Sequence, residues 1–118
     1  MYYVVYIYSM KIYFEQSGGF TGIDNKILIN SNSLPPEEVV ELQRLVDNAN
    51  FFDLPSELSS VPLRGADYLE YKITIETSDN KKHTIKVTDL TMPLNIGPLI
   101  RYLRRKAVKE DMGDNKPI

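Results

Sequence analysis

Met10-Lys11-Ile12-Tyr13-Phe14-Glu15, then after Gln16 the run Ser17-Gly18-Gly19-Phe20-Thr21-Gly22, sets the architecture of this chain. In the first six residues large apolar side chains alternate with polar ones, the period of a half-buried strand. The Gly-Gly pair tolerates φ > 0 at no steric cost, so the chain reverses tightly there and leaves backbone N–H and C=O groups uncovered. Phe20 follows glycines that cannot shield it. An aromatic on such a turn is either drawn into the core or offered to a partner.

Outward from this turn, Phe20 to Asn30 reads as the returning strand, with Ile27 and Ile29 on one face. Ser31-Asn32-Ser33-Leu34-Pro35-Pro36-Glu37-Glu38 has the marks of a helix start: capping side chains, first-turn prolines and carboxylates that suit the helix dipole. Val39, Leu42, Val46 and Ala49 then share one helical face, widened by Leu45. Phe51, Phe52 and Leu54, ahead of Pro55, are expected to tuck back under that helix. Residues 55–67 read as a loop rich in Pro, Ser and Gly, long enough to be functional or mobile. Tyr68 to Thr77 is the clearest strand, with Leu69, Tyr71, Ile73 and Ile75 on one face. Ser78-Asp79-Asn80-Lys81 turns it into a return strand, Lys82 to Thr88. A last helix buries Ile96, Leu99, Ile100, Leu103 and Ala107; Thr91-Met92-Pro93 and Pro98 are equally good starting points for it.

The resulting order, β-β-α-β-β-α, predicts an α+β fold: a four-stranded antiparallel sheet with two amphipathic helices on one face. A chain of 118 residues forms one domain with a real core. That domain is expected over residues 10–109, between an apolar N-terminal extension at 1–9 and a polar tail at 110–118.

Composition narrows the function. Apolar residues make up 42% and charged residues 25%, as in ordinary globular proteins. With a net charge of −2, no overall basic field draws the chain to nucleic acid. The basic run from Arg101 to Lys109 is followed by Glu110, Asp111 and Asp114, and reads as a solvated helix end. There is no cysteine, which removes disulfides, thiolate nucleophiles and Cys-ligated metal, and suits a cytoplasmic location. Residues 1–9 lack the basic region and cleavage site of a signal peptide and are too short to span a membrane. They either lengthen the first strand or precede a natural start at Met10.

Chemistry is poorly supplied. His83 is the only histidine, so no His/Cys zinc cluster is available. No Gly-x-Ser-x-Gly elbow accompanies it. The glycine run lacks the Lys and Ser/Thr of a phosphate-binding loop and leads into a strand. The Asp24-Asn25 and Asp79-Asn80 pairs lack calcium-loop spacing. No catalysis, metal site or cofactor is expected. What remains are two unusual surface loops, the Gly-Gly turn and Pro62-Leu63-Arg64-Gly65-Ala66-Asp67.

Taken in order, Met10-Lys11-Ile12, Ser17 to Gly22, Leu34-Pro35-Pro36-Glu37-Glu38, Phe51-Phe52-Asp53-Leu54-Pro55, Gly65-Ala66-Asp67, Tyr71 to Ile75 and Pro98-Leu99-Ile100-Arg101-Tyr102-Leu103 resemble the emfourin family. These are small bacterial protein inhibitors of protealysin-like metalloproteases, within the thermolysin family. The resemblance runs from Met10 to about Ala107; the Tyr-rich segment before Met10 departs from it. It implies a cytoplasmic, non-enzymatic inhibitor, monomeric when free, whose partner is a zinc protease that supplies the zinc. Neither nucleic acid nor membrane is an expected partner. The resemblance also turns the two loops into a candidate protease-binding site. Ser17, Gly18, Gly19, Phe20, Thr21 and Gly22 would enter or cap the cleft, and Gly65, Ala66 and Asp67 would flank it. Asp67 would either meet a cation or bond backbone where the strand starts. The competing reading is a non-inhibitory protein–protein interaction module; a weaker one is a small hydrolase using His83.

Overall fold

In a computed structural model, residues 9–18, 25–58 and 69–114 are described. Met10–Gly18 (β1) runs antiparallel to Asn25–Asn30 (β2), and Leu69–Thr77 (β4) is antiparallel to both β1 and Lys82–Thr88 (β5). Between β2 and β4 lie a helix, Pro36–Asn48 (α1), and a two-residue strand, Glu57–Leu58 (β3). The final helix, Gly97–Asp114 (α2), closes the chain order. The four antiparallel strands and two helices are those expected from the sequence.

The spatial order is β2-β1-β4-β5-β3. The fifth strand, β3, pairs parallel to β5 through Glu57 and Leu58. It falls inside the stretch read as loop, because a two-residue bridge is too short to carry any periodicity. The last helix is settled in favour of the later start: Leu94–Ile96 makes a 3₁₀ turn and Pro98 sits in the first turn of α2. That helix runs on to Asp114, into the polar stretch after Lys109.

Register explains the core. Ile12 lies between Ile29 and Ile75, with His83 beyond, and Phe14 lies between Ile27 and Ile73, with Ile85 beyond. Two rows of side chains therefore cross the sheet on one face. Ile12, Ile73, Ile75, Ile85 and Val87 are wholly buried there. Leu42 and Val46 of α1, with Ala49 just past its end, cover this face, and from α2 Leu99, Ile100, Leu103 and Ala107 do so, as their 3.6-residue spacing requires. Glu38 of α1 ties the helices together, accepting from the Tyr102 hydroxyl at 2.8 Å and pairing with Lys106.

The chain leaves α1 through Asn50, whose left-handed backbone (φ 51°) suits an asparagine at a helix end. A 3₁₀ turn, Phe51–Asp53, then carries Phe51 into the core, where it is 1% exposed. This is the expected return under the helix. On the other face of the sheet Tyr13 stands directly opposite Leu28, both exposed.

Candidate functional site

One end of the sheet gathers the connections that the sequence singled out. β1 ends at Gly18, an exposed residue whose φ of 93° belongs to the region that favours glycine. Its cross-strand partner is Leu69, the first residue of β4, and Ser17 faces Glu70. The stretch 19–24 therefore departs, and the stretch 59–68 rejoins, at neighbouring strands of the same end. β3 runs parallel to β5, so Leu58 also heads toward this end before residue 59. Of the expected site residues, Ser17 and Gly18 are placed here. Gly19, Phe20, Thr21, Gly22, Gly65, Ala66 and Asp67 lie outside the described residues.

A residue that the sequence reading passed over organises the point where the loop rejoins. Asp89, just past β5, accepts from the Leu69 N–H at 3.1 Å through Oδ2 and from the Tyr71 hydroxyl at 2.7 Å through Oδ1. Its own N–H donates to the Leu69 carbonyl at 3.1 Å. The first residue of β4 is thus held on both backbone groups. Tyr71 in turn stacks on Phe14 of β1, ring centroids 6.1 Å apart. The two strands that flank the loops are clamped to each other and to the turn after β5. The available signal was the Thr88-Asp89-Leu90-Thr91 string: an aspartate between threonines, one residue after a strand, is turn chemistry.

This clamp has a pH signature. Burial, and then the hydrogen bond to Asp89 with its charge, push the Tyr71 hydroxyl up to about 12. Tyr102 is pushed up in the same direction, by burial first and then by Glu38. An unfolded tyrosine ionises near pH ~10. The folded state thus holds its phenolic proton more tightly, and this contribution is fully present below about pH 10. It is lost as the pH rises from there through about 12. In Tyr71→Phe the alkaline fall of the urea midpoint should be shallower than in the parent chain. An identical fall in both would detach the clamp from stability.

His83 is occupied structurally. Its ring packs edge-on against Phe51 at 5.6 Å, and Nε2 lies 2.6 Å from the Leu54 carbonyl. A carbonyl only accepts, so Nε2 carries the proton in that bond. Among the described residues no group of three or more His, Asp and Glu side chains is placed to hold a metal ion. Also among the described residues, no helix is long and apolar enough to cross a membrane. An exposed glycine and a clamped strand start at one end of the sheet suit recognition of another surface.

In comparison with known proteins, the family model described as Emfourin fits residues 14–104. No curated protein and no solved structure matches the chain. The matched span takes in β1 from Phe14, the sheet end, both loops and α2 as far as Arg104.

Proposed function

The chain belongs to the Emfourin family, and on that premise we propose that it inhibits a protealysin- or thermolysin-like zinc metalloprotease by plugging the active-site cleft. The observation that carries this reading is the pairing of Gly18 with Leu69, which brings the stretches 19–24 and 59–68 to one end of the sheet. An inhibitor of a cleft enzyme needs a protruding element already ordered before it binds, so that little entropy remains to be lost. The β1–β4 ladder, the Phe14–Tyr71 stack and the Asp89 bonds supply such a rigid base. Around the tip, a specific complex of usual size buries about 1,600 Å² in total.

In this reading Ser17, Gly18, Gly19, Phe20, Thr21 and Gly22 form the inserted tip, and Gly65, Ala66 and Asp67 flank it. Phe20 is the anchor, since such proteases favour large apolar side chains beside the scissile bond. The zinc is the target's; the inhibitor supplies no catalytic group. It acts in the cytoplasm and is monomeric until it meets the protease. Phe20→Ala, with folding retained, is expected to weaken inhibition at least tenfold, about 1.4 kcal/mol. An inhibition constant equal to the parent's would place the anchor elsewhere.

A second reading has its own observation. The exposed pair Tyr13 and Leu28 lines a shallow groove of about 500 Å³ on the uncovered sheet face, with Lys26, Lys72 and Thr74. A non-inhibitory interaction module would dock there. Such a module would form complexes without silencing a protease.

A further inference from the structure

The turn after β5 has a property that neither the family match nor the two loops account for. Leu90 stands at its tip with 62% of its surface exposed, on a backbone fixed by several hydrogen bonds. The Thr88 N–H donates to Thr91 Oγ1 at 2.9 Å, and the two threonine hydroxyls are 3.0 Å apart. The Leu90 N–H donates to Thr88 Oγ1 at 3.2 Å. The N–H groups of Thr91 and Met92 both reach the Thr88 carbonyl at 3.1 Å. Asp89, between them, is fastened to Leu69 and Tyr71. A lone exposed leucine on a surface needs no explanation. One held out on a pre-ordered turn, beside the place where two candidate docking loops leave the sheet, is built as an anchor: its ordering cost is met before any partner arrives.

We propose that the Thr88–Met92 turn is a third contact element of the docking end, with Leu90 seated in an apolar depression on the rim of the partner's cleft. The position follows from register. Thr88 pairs with Glu70, one residue from the Gly18–Leu69 pair, so the turn leaves β5 at the end of the sheet where β1 ends and β4 begins. This inference rests on the inhibitor reading, and it extends the contact surface beyond the two loops.

The test is inhibition of a thermolysin-like protease by the full chain and by Leu90→Asp, Leu90→Ala and Leu28→Asp. Leu90 is exposed, so its variants are expected to unfold at the parent's urea midpoint. Leu90→Ala should raise the inhibition constant about fivefold and Leu90→Asp more, and Leu90→Asp should exceed Leu28→Asp, on the sheet face of Tyr13, by a clear margin. A parent chain that inhibits, with Leu90→Asp equal to it, overturns this inference and leaves the inhibitor reading standing. Weakening by Leu28→Asp as large as that by Leu90→Asp also overturns it, moving the contact to the sheet face. A folded parent chain that leaves the protease fully active overturns both.

Discussion

Phe14→Ala is expected to destabilise the fold by about 3–5 kcal/mol, the range for removing a large buried aromatic. Phe14 is 2% exposed at the middle of the sheet, flanked across β1 by Ile27 and Ile73 and stacked on Tyr71. Four backbone-paired strands hold the surrounding side chains in place, so the space left by the ring cannot close by collapse. The penalty therefore includes a cavity as well as the lost transfer energy. Urea unfolding should show a lower midpoint with an unchanged slope. Tyr13→Ala, one residue away but on the 41% exposed side, is the contrast and should cost far less. A loss under about 1 kcal/mol for Phe14→Ala would contradict the core as described. The same residue matters for function, because Phe14 positions β1 and Tyr71 and hence the Gly18–Leu69 end.

How much of this was legible in the chain depends on the range of the interaction that decides each feature. The alternation in Tyr68 to Thr77 and in Met10 to Glu15 reports which side of a strand is buried, and burial follows it: Ile12, Ile73 and Ile75 are inside and Lys11 and Lys72 outside. The helical stripes of α1 and α2 are legible for the same reason, since each needs only its own periodicity. Strand order is not of this kind. That β1 sits between β2 and β4 depends on residues more than 50 apart in the chain, Ile12 with Ile75 for instance. β3 is invisible because two residues, Glu57 and Leu58, are too few to carry a period. His83 could be read as a strand residue facing inward with Ile85 and Val87, but its bond to Leu54 needs the fold. Asp89 was missed because its partners, Leu69 and Tyr71, lie about 20 residues away. That the strand ends before residue 19 and after residue 68 are neighbours became clear only with the register of β1 on β4.

The largest functional effect expected is complete loss of protease activity at one equivalent of this protein. Contact loops carried on a rigid strand base lose less freedom on binding than loops on a mobile one. A nanomolar dissociation constant corresponds to about 12 kcal/mol, within reach of an interface of ordinary size with a few well-seated anchors. With the enzyme held above that constant, each added molecule removes one active site. Activity then falls in a straight line. The decisive experiment is the residual activity of a protealysin-like or thermolysin enzyme on a peptide substrate, titrated with this protein at nanomolar concentrations. A linear fall to zero at a ratio of one to one is expected. Full activity in the presence of micromolar folded protein would contradict it and leave the interaction module, docking through Tyr13 and Leu28, as the reading to pursue.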